Sequence, residues 1–369
     1  MHKNKKWIWE HSNYPHFTYN KDRLDQLILE TTKEQGILEG EIKHLTQDES
    51  TSFQLETALN EIIYTSYMEG EILKRSSVRA SLRKQFEKFE TQGSTKHTDN
   101  IASVQEDANH NYEPLTVQRL NTWHLDLMKE GEYDSTQVTV GEFRNYDEMY
   151  VTSGSGSRTR VHYQAIPHKE IDRAMETFLA YCNTSTESAF IKSAIAHIWF
   201  VQIHPYDDGN GRIARNISNH ILSKELGLDS RYFSLSLSIH NDVSTYGHIL
   251  EESNRLVKNP NLDLSTWIEW HTNTIAKAIK LSIKHIDATI EKTKFYDKIR
   301  DIKINKNQSK AINMLIVGKE TMINNNMYRT MTGASQVTAS RQLTDLVKKE
   351  VLRKVSGNEG RSTAYELNV

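Results

Sequence analysis

The chain has 369 residues and a formal net charge of −2, which is enough for two or three domains and gives no overall bias toward nucleic acid or membranes. Its single cysteine, Cys182, excludes an internal disulfide, as is usual in a reducing compartment. No signal-peptide core follows the basic start, and the longest apolar run, residues 195–203, is too short to cross a bilayer. We therefore expect a soluble cytoplasmic protein.

The first 95 residues are predicted to form an N-terminal helical domain. Gly36 and Gly40 weaken the helical pattern of residues 22–45, which predicts that this helix could split. Gly70 is suited to end the helix of residues 50–69. The polar residues 92–99 predict a loop or linker. Apolar spacing predicts helices over residues 22–45, 50–69 and 76–89.

Residues 96–295 are predicted to form a larger helical core with one β-hairpin. The hairpin is expected within residues 141–167, where apolar β-formers flank a long tip rich in Ser and Gly. Helical periodicity predicts helices over residues 101–110, 116–129, 168–181, 188–202, 211–225, 244–257 and 264–300.

The last segment, residues 303–369, has a different pattern and is locally basic, with eleven Lys and Arg against five Asp and Glu. Its predicted elements are a helix around residues 311–315, a turn at 328–333, a helix at 335–349, and strands at 351–355 and 364–367 around Gly357 and Gly360. A helix-turn-helix followed by a β-hairpin predicts a winged helix-turn-helix.

The run HPYDDGNGRIAR, residues 204–215, places a base, carboxylates and arginines at the start of a predicted helix. The histidine titrates near neutrality, the aspartate is a hard oxygen ligand suited to Mg²⁺, and the glycines allow the backbone to approach an anion. Free N–H groups of a helix N-terminus and two arginines one turn apart suit phosphate. The run predicts transfer of part of a Mg-nucleotide to a hydroxyl, through His204, Asp208, Gly209, Gly211, Arg212 and Arg215.

This run resembles the signature of Fic-domain proteins, His-x-Phe-x-(Asp/Glu)-Gly-Asn-Gly-Arg-x-x-Arg, with Tyr206 where Phe is usual. The added hydroxyl needs a partner if it is buried. Residues 141–144 (GEFR) resemble the segment before the family's β-hairpin flap, and the N-terminal Trp-Ile-Trp segment resembles one attached to some bacterial members. The resemblance covers about residues 1–290 and implies a mainly α fold, a Fic-type helical bundle with a β-hairpin flap, beside the C-terminal winged helix-turn-helix.

The resemblance implies that AMP moves from ATP to a Ser, Thr or Tyr hydroxyl of a target protein, which is docked along the flap. His204 would act as general base, Asp208 would hold Mg²⁺, and Arg212 would grip the β- and γ-phosphates. Backbone N–H groups of residues 209–211, with the Asn210 side chain, would hold the phosphates. The residues implied around the nucleotide are Asp208, Gly209, Asn210, Gly211, Arg212, Arg215, Val161, His162, Tyr163, Gln164, Tyr246 and Asn254.

Residues 65–70 (TSYMEG) resemble the family's inhibitory motif, (Ser/Thr)-x-x-x-Glu-(Gly/Asn), at the position found in members with an N-terminal inhibitory helix. The resemblance implies that Glu69 pairs with Arg215 and keeps the γ-phosphate from seating. The same carboxylate could orient a water, so removal of AMP is an alternative reaction for this site. Tyr246 is as readily a packing aromatic as a neighbour of the adenine.

Two further points stay open from the sequence. The basic winged helix binds DNA through residues 335–349 or serves as a protein-interaction or dimer module, and the chain could be a DNA-binding regulator with a nucleotide-sensing core. A homodimer is common among similar proteins, but no interface is evident. No metal-ligand spacing links His162, His197, His220 and His271.

Overall fold

The computed structural model describes residues 5–87, 92–129, 138–154, 156–227, 230–316, 320–355 and 363–368. The chain divides into two units, residues 1–286 and residues 287–369. The predicted boundary between residues 295 and 303 falls near this division. The predicted segment 1–95 and almost all of the predicted segment 96–295 lie together in the first unit.

The first unit is mainly helical. Its short 3-10 helices are Ile8–Glu10, Gly156–Arg158, His168–Glu170 and Ser230–Tyr232. Its α-helices are α1 Lys21–Ile42, α2 Gln47–Met68, α3 Arg75–Glu87, α4 Lys96–His110, α5 Val117–Met128, α6 Ile171–Thr184, α7 Ala189–Ile203, α8 Asn210–Leu226, α9 Leu235–His240, α10 Val243–Asn254 and α11 Ser265–Lys298, which continues into the second unit. Sequence periodicity did not predict the short helix α9 or the 3-10 turn before it.

Helix starts in this unit follow side-chain caps more closely than apolar spacing. Helix α1 runs through Gly36 and Gly40 without a break, so the split does not occur. Helix α2 begins at Gln47, earlier than predicted, because Thr46 caps it in a box with Glu49. The predicted loop 92–99 is too long, because helix α4 already begins at Lys96. Thr95 caps this helix by accepting the N–H of Thr98.

The core of the unit lies along α7 and α8. Nearly every residue of α7 is buried, including Phe190, Ile195 and Phe200, so this helix is apolar all round as a central helix must be. Helix α8 is also largely buried, although its first turn carries arginines. The loop between these two helices therefore starts and ends on rigid elements.

One antiparallel hairpin, β1 Tyr150–Ser153 and β2 Arg160–Gln164, lies where the sequence predicted it, with a register shift after Val151. Two N-terminal tryptophans contact its second strand. The indole N–H of Trp9 donates to the Gln164 carbonyl at 2.8 Å, and Trp7 packs edge-to-face on Tyr163. The N-terminal segment thus braces the hairpin.

The second unit combines helices with a small sheet whose order is β3-β5-β4, antiparallel throughout. The predicted turn at residues 328–333 is wrong: residues 328–332 belong to a helix that Gly333 ends, because Asn324 caps its start and Tyr328 is buried in the core. The wing tip at Gly357 and Gly360 lies outside the described residues. The elements are α12 Lys306–Ile316, β3 Ile323–Asn324, α13 Asn325–Thr332, α14 Gln336–Lys348, β4 Leu352–Lys354 and β5 Ala364–Leu367.

Across the described ranges, no helix combines the length and apolarity needed to cross a membrane.

Candidate active site

His204 lies at the C-terminal end of α7 in the left-handed region, with φ of 51°, and so turns the chain out of the helix. Its Nδ1 is 3.2 Å from the Val201 carbonyl oxygen. Because a carbonyl only accepts, this contact places the proton on Nδ1 and leaves Nε2 as an acceptor. Burial lowers the pKa of His204 to about 4, so the ring is neutral near pH 7 and can accept a proton.

The loop after His204 is closed by the side chain of Asn210. Its Oδ1 accepts the backbone N–H of Tyr206 at 3.0 Å, and its Nδ2 donates to the Tyr206 carbonyl at 2.8 Å. Both polar atoms are therefore used within the loop. Because the amide group has a second N–H, its role toward phosphate, beside the backbone of residues 209–211, stays a prediction.

Tyr206 is fully buried and stacks on the His124 ring, with centroids 4.1 Å apart. The hydroxyl that distinguishes it from Phe has a partner, since it donates to Oδ1 of Asn121 at 2.7 Å. His124 in turn accepts the N–H of Gly141 and lies 3.2 Å from the Asp208 carbonyl, which connects the loop to α5.

Arg144 ties the hairpin region to the same loop. Its backbone N–H donates to the Pro205 carbonyl, and its buried guanidinium donates to the carbonyls of His204 and Ile166. Residue 166 lies two positions after the end of β2. The arginine of the GEFR segment thus sets the position of the hairpin against the loop that follows His204.

Asp208 is the carboxylate of the loop that faces solvent, with 41% of its side chain exposed. Its Oδ1 accepts the Gly209 N–H at 2.6 Å, whereas the neighbouring Asp207 is used in a bond to the Thr139 N–H. In the described part of the chain, no cluster of three or more His, Cys, Asp or Glu could hold a metal. Asp208 fits Mg²⁺ in the manner of nucleotide enzymes, in which one carboxylate adds to phosphate and water ligands.

Arg215 is almost fully buried and pairs with Glu69, as the resemblance implied. Its NH2 lies 2.6 Å from Oε1 of Glu69, and its Nε donates to the Thr65 hydroxyl. Burial opposes ionisation of Glu69, but Arg215 outweighs it, so the pKa of this carboxyl lies below its usual value. Glu69 is therefore a carboxylate near neutral pH.

The same carboxylate lies against the first turn of α8. A Cβ on Gly211 would come within 2.2 Å of Oε1 of Glu69, so the carboxylate occupies the space beside this glycine. That space adjoins N–H groups that a helix start leaves without intrahelical partners. Glu69 thus lies where an anionic ligand of the helix would be expected.

A second ion pair, which the sequence did not predict, involves the next arginine of the run. NH1 of Arg212 lies 3.0 Å from Oε2 of Glu71, and the other Glu71 oxygen contacts Nε2 of His97 on α4. Gly70, with φ of +82°, separates the two carboxylates and ends α2 in a Schellman turn, in which the Glu71 N–H donates to the Ser66 carbonyl. One turn therefore supplies carboxylates to both arginines of α8.

Helix α2, which carries this turn, is held in place by the buried carboxylate of Glu61. It accepts four hydrogen bonds, from Asn219 on α8, from the hydroxyls of Ser234 and Ser236, and from the Ser236 N–H. Four hydrogen-bond donors satisfy the buried carboxylate and hold it in one orientation. No local signal in the sequence indicated this contact.

The hairpin is held on its outer side by Glu251 of α10. This carboxylate accepts from Arg160 at 2.7 Å and lies 2.9 Å from Nδ1 of His162, both on β2. Burial raises the pKa of Glu251, but His162 and Arg160 outweigh this and lower it to about 2. Of the predicted flap residues, His162 thus bonds to α10, while Val161 packs in the cluster around Trp7 and Gln164 accepts from the Trp7 indole.

The two residues predicted near the adenine and ribose lie inside the helical bundle. The Tyr246 hydroxyl is 3.1 Å from Nε2 of His197, and its ring packs on Trp267 and Trp270, which fits a packing role. Asn254 is buried, and its Oδ1 accepts from Gln202. Their role toward a nucleotide stays a prediction.

Comparison with known proteins identifies the region around this site. Residues 114–222 match the Fic/DOC family, and residues 7–87 match DUF4172, a domain of unknown function. A protein adenylyltransferase Fic from Culex quinquefasciatus is 29% identical over 115 residues, which is 30% of this chain and 19% of that protein. The chain therefore spans about a fifth of the length of this curated relative.

Two crystal structures share the fold. A Fic family protein from Desulfovibrio desulfuricans has a TM-score of 0.56 at 18% identity and covers 96% of this chain and 98% of its own. A Fic domain containing signaling protein from Bacteroides thetaiotaomicron has a TM-score of 0.50 at 18% identity, over 72% of this chain and 97% of its own. The chain thus has a segment that matches the Fic/DOC family, within a mainly helical fold shared with these proteins.

Proposed function

We propose that this protein is an adenylyltransferase, which moves AMP from ATP to a Ser, Thr or Tyr hydroxyl of a protein, and that Glu69 restrains it. The observation that carries the proposal is the neutral His204 base beside the first turn of α8, with an exposed carboxylate, Asp208, between them. The Fic/DOC match over residues 114–222 supports the reaction class.

In this proposal each group has a role. Nε2 of His204 takes the proton as the hydroxyl oxygen attacks the α-phosphorus, and the bond to the bridging oxygen breaks so that pyrophosphate leaves. N–H groups of the α8 start and the guanidinium of Arg212 stabilise the phosphates. Asp208 would hold Mg²⁺, which offsets phosphate charge when bound. The hairpin, held by Arg144 and Glu251, offers β2 to an extended target segment.

The position of Glu69 supports the restraint. Its carboxylate pairs with Arg215 and fills the space beside Gly211, so a triphosphate meets both repulsion and a blocked arginine. Removing the side chain opens this space without changing His204, Asp208 or Arg212. We therefore expect Glu69→Gly to transfer AMP faster than the parent chain.

Intact-mass spectrometry after incubation with Mg-ATP tests both parts. The Glu69→Gly variant should gain the mass of AMP by self-modification or should modify an added protein, and the parent should show much less. Glu56→Gly, on the exposed side of the same helix, is the matched control and should behave as the parent. If Glu69→Gly transfers no more AMP than the parent, the restraint is refuted. If the parent removes AMP from a modified protein faster than the Glu69→Gly variant does, the result favours the reverse reaction.

A second function, DNA binding by the second unit, is favoured by one face of α14. The order α12, β3, α13, α14, β4, β5 supports a winged-helix interpretation. Among the described residues, Arg341 and Lys348 have no carboxylate within ion-pair distance. The exposed face of α14 is otherwise almost entirely polar. Such a face suits contact with base edges and phosphates, whereas the centre of a protein interface is usually apolar. Its residues are Gln336, Val337, Ser340, Arg341, Thr344 and Lys348.

Fluorescence anisotropy with a duplex DNA at about 50 mM and about 200 mM salt tests this function. Binding should fall steeply with salt, and Arg341→Glu should weaken it by about tenfold or more. Lys33→Glu, an equal charge change on exposed α1, is the control. No binding at the lower salt would refute DNA binding and leave a protein-interaction role for the unit.

A further inference from the structure

The two carboxylates of the α2 turn contact their arginines in different ways. Glu69 reaches Arg215 and also lies against Gly211, in front of the first turn of α8. Glu71 contacts NH1 of Arg212 and His97, and it is not among the nearest atoms to Gly211. Only Glu69 therefore fills the space in which an anion would approach the helix start.

We propose that Glu71, braced by His97, is a positioning residue that orients the Arg212 guanidinium toward the phosphates of the bound nucleotide. This inference rests on the proposed function and concerns the same site. Glu69 and Glu71 then have opposite effects although they are separated by a single glycine: the first keeps phosphate out and the second prepares an arginine to bind it.

The contacts of Arg212 support a positioning role. Its side chain is fully buried, so it cannot take its orientation from solvent. Glu71 holds NH1 at 3.0 Å, while NH2 lies 3.1 Å from the Met128 sulfur and 3.9 Å from Oδ2 of Asp208. Because a guanidinium is planar, holding one nitrogen sets the direction of the others. Glu71 thus keeps NH2 beside the carboxylate that is proposed to hold Mg²⁺.

Glu71 is itself held from two sides. Its backbone N–H is committed to the Ser66 carbonyl in the Schellman turn, and its second oxygen contacts His97. Burial raises the pKa of Glu71, but His97 and Arg212 outweigh this, so the carboxyl stays ionised near neutral pH. A charged, doubly held carboxylate is the kind of support that keeps a binding group in one orientation.

Equilibrium binding of Mg-ATP and of adenosine, measured by calorimetry in a Glu69→Gly background, tests the inference. Adding Glu71→Gln should weaken Mg-ATP binding by about tenfold or more, because the arginine loses its fixed orientation. Adenosine has no phosphate, so its affinity should change by less than about twofold. His97→Gln should weaken Mg-ATP binding by a smaller factor, since Glu71 still contacts Arg212. Glu56→Gln, which removes a surface ion pair between α2 and Arg79 of α3, is the control and should change neither affinity.

Three results would overturn the inference. Unchanged Mg-ATP affinity would mean that Glu71 does not orient Arg212, and tighter binding would make Glu71 a second restraint like Glu69. Equal loss of Mg-ATP and adenosine binding would show general damage to the site. Failure of the proposed function looks different: Glu69→Gly would bind Mg-ATP without transferring AMP, or would not bind it, whereas the comparison of the two ligands reports only on positioning.

Discussion

Two pairs of cationic side chains, one in each unit, lie in opposite surroundings. In the first unit, Arg212 and Arg215 of α8 are 0% and 2% exposed, and each has a carboxylate of the same chain on its guanidinium. In the second, Arg341 and Lys348 of α14 are exposed and have no such carboxylate among the described residues, although Lys349 and Arg353 do. A buried arginine needs a partner to offset desolvation, whereas a surface cation does not. The charges of the two arginines are therefore balanced within the chain, and those of the two α14 residues face solvent.

Histidine distribution separates the units as well. All sixteen histidines lie in residues 2–285, and the second unit has none. Burial lowers the pKa of His124, His204 and His220 to about 4. The first unit thus buries ionisable side chains, while the second has a core of apolar residues such as Leu343 and Leu346. The two units should respond differently to mutation and to acid.

The largest effect is expected from the base. In the Glu69→Gly background, His204→Ala should lower AMP transfer by about 100-fold or more, because the proposed general base is then missing. The rate is measured with labelled ATP. His248→Ala, on the exposed face of α10, is the control and should leave the rate unchanged. Retention of most of the activity in His204→Ala would remove this residue from the mechanism.

Acid should destabilise the first unit before the second. The three histidines with a pKa of about 4 are neutral in the folded chain at pH 6, but in the unfolded chain, with a pKa of about 6.5, they take up protons. The unfolded state then binds more protons, so stability falls as pH drops from about 7 toward about 4. Between about pH 7.5 and about pH 6 the loss is about 0.8 kcal/mol per histidine.

Urea unfolding followed by tryptophan fluorescence measures this loss in the first unit, because all six tryptophans lie in residues 7–270. His220→Gln keeps a donor toward the Ala108 carbonyl but cannot titrate. It should reduce the pH dependence by about a fifth, because burial lowers the pKa of His197 and His271 as well. Equal urea midpoints at both pH values would show that these histidines are not buried in the neutral form.

Much of the site could be predicted because its signals are local. The 204–215 run contains the base, the carboxylate and both arginines within twelve residues, and the Glu69–Arg215 contact followed from the resemblance of residues 65–70. The helices could also be predicted from the sequence where apolar periodicity is strong, as in α7 and α8. Residues 328–333 were assigned to a turn because their helix is short and polar, and only its cap and one buried tyrosine specify it.

The contacts that could not be predicted join positions far apart in the chain. Glu71 and Arg212 are 141 residues apart, and Arg160 and Glu251 are 91 apart. A charged residue has the same local appearance whether it faces solvent or a distant partner, so periodicity carries no information about its partner. The Asn210 side chain is a local example: the motif indicated a ligand contact but not the hydrogen bonds by which this side chain also closes its own loop.

The space beside Gly211 gives the next prediction. If the carboxylate of Glu69 occupies the position of a phosphate, filling that space with a methyl group should block it even after Glu69 is removed. Gly211→Ala added to Glu69→Gly should therefore weaken Mg-ATP binding by about tenfold. Gly247→Ala is the matched control, since a Cβ there meets nothing within 4 Å. Equal affinity of the double and single variants would place the phosphates elsewhere.

The smallest effect concerns the hydroxyl that departs from the family signature. Tyr206→Phe removes the bond to Oδ1 of Asn121 but keeps the ring stacked on His124. We expect a loss of about 1 kcal/mol in the free energy of unfolding, measured in urea, with AMP transfer in the Glu69→Gly background within about twofold. Combined with Asn121→Ala, the double-mutant cycle should return a coupling of about the same size, because each single change removes the same bond. A coupling near zero would mean that the ring alone holds this side of the loop, and a large loss of transfer would mean that the hydroxyl, rather than the ring, positions His204.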